Sequence, residues 1–86
     1  MAGMTKAISA PCIKSATVAG ANASTNIAVT GITTDDTLVM VMEIATSTVI
    51  PTDRTSTTSI TSNGYIQCTD ATTGDVLIVL WHDASA

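Results

Sequence analysis

Short runs of apolar residues, separated by Gly, Asn, Asp and Thr, organise this chain. The clearest run is Val76 to Trp81, six consecutive apolar residues that follow Asp75. It is too short for a buried helix, and its β-branched content predicts a strand. Successive strand side chains point to opposite faces. The pattern therefore predicts one face with Val76, Ile78 and Leu80, and another with Leu77, Val79 and Trp81. Both faces need cover, which a chain of 86 residues is too short to supply generously.

The run from Thr37 to Ala45 predicts a second central strand. Its strict alternation divides the strand into one face with four apolar residues and another with a charge. The first face holds Leu38, Met40, Met42 and Ile44, and the second holds Val39, Val41 and Glu43. We expect this strand to pair with Val76 to Trp81.

The strongest local signal is a hairpin around Asn63-Gly64. A two-residue loop leaves Ile60 and Ile66 on opposite faces. A three-residue loop, Ser62 to Gly64 with Gly64 in the left-handed conformation, pairs Ile60 with Ile66 and Thr58 with Cys68. We prefer the second arrangement because it gives one apolar and one polar face. The hairpin and the final strand then predict a three-stranded meander.

The remaining segments of the chain also predict extended structure. Ser15 to Gly20 and Asn26 to Ile32 predict short strands that end near glycine. Residues 1–14 contain Pro11 and predict an extended N-terminal arm and edge segment, because proline cannot donate to a central ladder. The prediction is an all-β fold, a small antiparallel β-sandwich or barrel of six to seven short strands, with residues 15–86 as a single domain.

Composition narrows the function classes. The chain is 45% hydrophobic and only 12% charged, with a net charge of −4 and a mean hydropathy of +0.42. Such a weakly charged surface suggests cover by neighbouring subunits. Its three basic residues, Lys6, Lys14 and Arg54, offer no patch to neutralise phosphates, so we expect no nucleic-acid binding. Residues 15–34 are rich in Ser, Thr, Asn and Gly, so we expect no membrane span.

Few side chains suggest chemistry. His82 beside Asp83 lacks an identifiable nucleophile, and Asp35 and Asp36 lack the ligand spacing of a metal loop and indicate a solvated turn. We therefore expect no enzymatic activity, no metal or cofactor, and no catalytic or binding site residues. We also expect a solvated ion pair between Asp53 and Arg54, and two free cysteines, Cys12 and Cys68.

A family resemblance rests on four segments of the chain. Together they span most of residues 27–83: Ile32 to Val41, Asp53 to Thr55, Ser59 to Gln67, and Thr73 to Asp83. They resemble small β-rich structural proteins of tailed bacteriophages, of the capsid decoration or cement type. The resemblance implies a virion protein that is made in the host cytoplasm and binds the capsid surface at a symmetry axis. The partners that it implies are the major capsid protein and further copies of the chain, in a trimer or another small oligomer.

Three functions are compatible with these observations. The first is a capsid decoration protein that stabilises the assembled head by bridging capsomers. The second is a tail or connector subunit, which would differ mainly in copy number. The third is a small module that binds glycans or a host surface, for which Tyr65 and Trp81 are the available aromatic residues.

Overall fold

The computed structural model describes residues 13–45, 47 and 50–84. They form seven strands and one short 3₁₀ turn, Thr55–Thr57. The strands are β1 (Ile13–Ala19), β2 (Ile27–Ala28), β3 (Thr37–Ile44), β4 (Thr52–Asp53), β5 (Thr58–Ser62), β6 (Tyr65–Cys68) and β7 (Val76–His82). The predicted all-β architecture is confirmed. Most of the predicted arm, residues 1–12 with Cys12, lies outside the described residues.

The larger sheet has four antiparallel strands in the order β1-β7-β3-β4. Strand β7 pairs with β1 on one side and with β3 on the other, so the predicted pairing of the two central strands is confirmed. Leu77, Val79 and Trp81 are buried. Alternation therefore sends Val76, Ile78 and Leu80 to the outer face. The predicted division of β7 into these two faces is confirmed.

The smaller sheet has three antiparallel strands in the order β2-β6-β5. The hairpin has the predicted register, with Ile60 opposite Ile66 and Thr58 opposite Cys68. The preferred three-residue loop is wrong in detail: Ser62 faces Tyr65 across Asn63-Gly64, and a bulge between Ile60 and Ser62 supplies the extra residue. Gly64 has the predicted positive φ, +85°.

The predicted three-stranded meander is wrong. After β6 the chain crosses to the other sheet, so β7 pairs with β1 and β3 rather than with the hairpin. The crossing is held at Thr72, whose N–H donates to the Ala21 carbonyl and whose Oγ1 accepts from the Ala21 N–H. A Cβ on Gly20 would lie 2.0 Å from the Thr72 carbonyl oxygen, so this crossing requires glycine there.

A bulge changes the predicted faces of β3. Leu38 faces Trp81 while Met40 faces Leu80, so Val39 is the extra residue between them. Leu38 therefore lies on the inner side with Val41 and packs against the core. The prediction that Leu38 shares a face with Met40 is wrong. The prediction that Met40, Met42 and Ile44 share a face is confirmed by their partners on β7, which place them on the outer side.

The predicted strand from Asn26 to Ile32 is shorter than expected, because β2 ends at Ala28. A turn follows, in which the Ile32 N–H donates to the Val29 carbonyl and Gly31 has φ of +92°. The residues after β2 still contact the tip of the β5–β6 hairpin, because the Val29 N–H donates a hydrogen bond to the Gly64 carbonyl. Both sheets contribute to one buried core: Ile27, Val29, Ile32, Val41, Ile66, Leu77, Val79 and Trp81.

Candidate interaction surface

The outer face of the four-stranded sheet is the most distinctive surface of the molecule. Cross-strand partners on β3 and β7 bring six apolar side chains together in three facing pairs. The pairs are Met40 with Leu80, Met42 with Ile78, and Ile44 with Val76. Strand β1 adds four more positions beside β7: Ile13, Ser15, Thr17 and Ala19. We refer to these ten residues as the outer face.

The outer face carries apolar and small neutral side chains only. Ile13 is 48% exposed, Ile44 38% and Val76 37%, while the four central residues are half-buried. Two polar residues mark the margins of the outer face. Asp53 is the cross-strand partner of Met42, and His82 lies at the end of β7. No described segment covers these residues. An apolar sheet face of this kind is typical of an interaction surface.

A charged cluster lies on the inner side of the same sheet. Glu43 is 6% exposed and receives a hydrogen bond of 2.7 Å from Arg54 Nε. Arg54 Nη1 lies 3.3 Å from Asp70 Oδ2 in a second, weaker contact without hydrogen-bond geometry. The predicted Asp53–Arg54 pair is wrong, because Asp53 Oδ1 instead accepts from the Thr55 N–H and hydroxyl. The cluster joins β3 to the loops around the smaller sheet.

Asp75 extends this cluster through its carboxyl group. Its hydrogen bond to Glu43 is the main cause that raises the pKa of Asp75 and lowers the pKa of Glu43. Burial opposes the lowering at Glu43, and Arg54 assists it. When Asp75 is protonated, its carboxyl group can donate a hydrogen bond to the Glu43 carboxylate. At higher pH both groups are ionised and repel each other.

The stability of Asp75→Asn should depend on pH differently from that of the wild type. A raised pKa means that the Asp75 contribution is complete below its ordinary value of 3.8 and is lost as pH rises through the folded value. An asparagine still donates to Glu43 but does not titrate. We expect the variant to gain stability relative to the wild type as pH rises from about 4 to 7, measured by urea unfolding.

Asp75→Ala is the matched control for this experiment. It removes the titration and also the hydrogen-bond donor, so it should lack the wild-type loss of stability toward neutral pH and be less stable than Asp75→Asn. A constant difference between Asp75→Asn and the wild type across this pH range would contradict the shared proton.

The aspartates of the turn before β3 serve a structural role in the fold. Asp36 is only 7% exposed, and its carboxylate accepts from the Thr33 N–H at 2.9 Å and from the Ala84 N–H at 2.9 Å. The expectation of two solvated acids is therefore wrong for Asp36, while Asp35 is exposed. Asp36 ties the segment after β7 to this turn. His82 is exposed at the end of β7, and Asp83 is half-buried.

The two aromatic residues differ in accessibility. Tyr65, at the hairpin tip, is 42% exposed, whereas Trp81 is 3% exposed in the core. The Trp81 indole N–H has no hydrogen-bond partner among the described residues, and such an unpaired buried donor costs about 1 to 3 kcal/mol. Only Tyr65 can therefore present a ring to a sugar. Cys68 is free and buried.

Within residues 13–45, 47 and 50–84, no three His, Cys, Asp or Glu side chains are placed to hold a metal ion. No helix of this part of the chain is long and apolar enough to cross a membrane. No protein-family model matches the sequence, and no curated protein and no solved structure is significantly similar to it.

Proposed function

We propose that this chain is a bacteriophage capsid decoration protein that binds the outer surface of the assembled head and bridges neighbouring capsomers. The observation that carries the proposal is the outer face of the four-stranded sheet. It presents methionine, isoleucine, leucine and valine side chains in register, next to neutral β1 residues. In the bound state this face is buried between subunits, and the major capsid protein supplies the rest of the contact.

The proposed mechanism is thermodynamic. Apolar surface gains about 25 cal/mol for each square ångström removed from water. A protein that binds only the assembled shell stabilises it by mass action, and each small contact is repeated over the lattice. The 12% charged composition supports this role, because few charges must be desolvated when the surface is covered.

Binding to shells that lack the chain tests the proposal. Particles from a phage with a stop codon in this reading frame are mixed with purified protein and sedimented. We expect wild-type protein to sediment with the particles at a saturating, simple ratio to the shell protein. The double variant Met42→Thr/Ile78→Thr should remain in the supernatant, because threonine suits a strand but removes the central apolar pair.

Tyr65→Ala is the control, since it alters the exposed hairpin tip and leaves the outer face intact. It should bind the particles like the wild type. Binding of the double variant at wild-type level would contradict the role of the outer face. Binding to host glycans that is lost in Tyr65→Ala, without particle binding, would replace the proposal with the glycan-binding alternative.

A further inference from the structure

We propose that β1 forms an antiparallel pair with the β1 strand of a second copy of this chain, across a two-fold axis. Strand β1 is an edge of the four-stranded sheet, and its described partner is β7 alone. The pairing is a property of the isolated protein, and it does not depend on the capsid role.

The direction of the β1 backbone groups follows from one hydrogen bond. Gly20 N–H donates to the Asp75 carbonyl at 2.9 Å, and these two residues continue the β1–β7 register by one step. In an antiparallel ladder, hydrogen-bonded and non-bonded pairs alternate. The N–H and C=O groups of Lys14, Ala16 and Val18 therefore point to β7. Those of the intervening residues point away from the sheet: Ile13, Ser15, Thr17 and Ala19.

Within the described residues, this edge lacks the usual protection against strand pairing. Proteins blunt exposed edges with proline, bulges, charges or very short strands. Strand β1 is seven residues long, its register with β7 is regular, and Lys14 is its only charge. The opposite edge, β4, has two residues and ends at Asp53. The two edges of one sheet therefore differ, and β1 is the one suited to a partner.

The sequence of β1 is complementary to itself. With the two-fold axis at Ala16, Ser15 faces Thr17 of the second copy and Ile13 faces Ala19. Every outward backbone group of the strand is then used, in about eight hydrogen bonds, two for each facing pair. Lys14 lies opposite the partner's Val18, so the two lysines do not face each other. Small side chains at the remaining positions allow the strands to approach without a clash.

The pairing also joins the two outer faces. A two-fold axis perpendicular to the sheet keeps both outer faces on the same side, so the two four-stranded sheets become one eight-stranded sheet. The apolar rows of β3 and β7 in each copy then belong to one continuous surface. A second copy paired with β1 thus enlarges the apolar outer face, whereas an unrelated peptide paired with β1 would not.

Thr17→Pro tests the pairing because it removes one outward N–H and leaves the β7 ladder complete. By light scattering after size exclusion, we expect the wild-type chain to have twice its mass of 8.7 kDa and the variant to have that mass once, with a folded circular dichroism spectrum. Thr17→Ala keeps the backbone N–H and should remain a dimer. A wild-type monomer or trimer, or a dimeric Thr17→Pro, would overturn the proposal.

Residue-resolved hydrogen exchange on the wild-type protein provides a test that needs no variant. In the dimer, the amides of Ser15 and Thr17 should exchange at least about tenfold more slowly than in dilute, monomeric protein, while those of Ala16 and Val18 stay protected in both. Fast exchange of Ser15 and Thr17 at all concentrations would contradict the pairing. Protection of these amides in a monomer would show instead that another segment of the same chain occupies the edge.

Discussion

Leu77→Ala is expected to lower the free energy of unfolding by about 3 to 4 kcal/mol, a larger loss than we expect from any other single substitution in this chain. Leu77 is fully buried in the core shared by the two sheets. Truncation removes its transfer free energy and leaves a cavity, and small domains have only about 5 to 15 kcal/mol of stability in total. Urea denaturation at a dilution where the protein is monomeric measures this loss.

Ile78→Ala is the matched control, since Ile78 is the next residue of the same strand and lies on the outer face. Its side chain is half-buried rather than fully buried, so we expect a loss of about 1 to 2 kcal/mol, clearly below that of Leu77→Ala. Equal losses for the two variants would contradict the assignment of inner and outer faces.

Arg54→Met is expected to cost about 2 to 3 kcal/mol of stability. The substitution leaves the Glu43 carboxylate, 7% exposed, without its 2.7 Å ion pair. Removal of one partner of a fully buried pair costs about 3 to 5 kcal/mol. We place the loss below that figure because the Arg54 side chain is 28% exposed. Thermal and urea unfolding at neutral pH give the value.

The double variant Glu43→Leu/Arg54→Met separates the pair from simple packing. An apolar replacement of both partners is often neutral, so the double variant should recover most of the stability lost in Arg54→Met. If the two variants are equally unstable, the loss arises from the packing of the arginine stem and the ion pair contributes little.

The sequence predicts most reliably where the pattern is regular. The alternation of β7 predicts its two faces correctly because no bulge interrupts that strand. The same reasoning fails for Leu38, since the extra residue at Val39 reverses the faces and alternation alone does not reveal a bulge. The hairpin register was predictable because the pairing of Ile60 with Ile66 is required for an apolar face.

Contacts between residues that are distant in the sequence were harder to predict. The loop between β6 and β7 leads to the other sheet, and apolar alternation does not encode which strand a neighbour will join. The Glu43–Arg54 pair was missed, although a signal for it exists. Glu43 alternates with Val41 toward the core, and a buried carboxylate requires a cation from a chain that has only three. Asp36 was missed because its second partner, Ala84, is distant in sequence.

The outer face was predictable in part. The continuous apolar run of β7 indicates that both faces need cover, and the structure places the core on one of them. The β3 part of the outer face could be predicted only with the correct β3–β7 register. The β1 part depends on the pairing of β1 with β7, which the sequence did not reveal. The contrast between the unprotected β1 edge and the short β4 edge emerges only from the strand order.

Copy number in intact particles tests the central claim most directly. Under the proposed function the chain is a component of phage particles, so virus particles released by the source organism are purified, and quantitative mass spectrometry compares this chain with their major capsid protein. The proposed role predicts hundreds of copies in a simple ratio to the shell protein. A few to tens of copies would assign the chain to the tail or connector, and its absence from the particles would contradict a virion role.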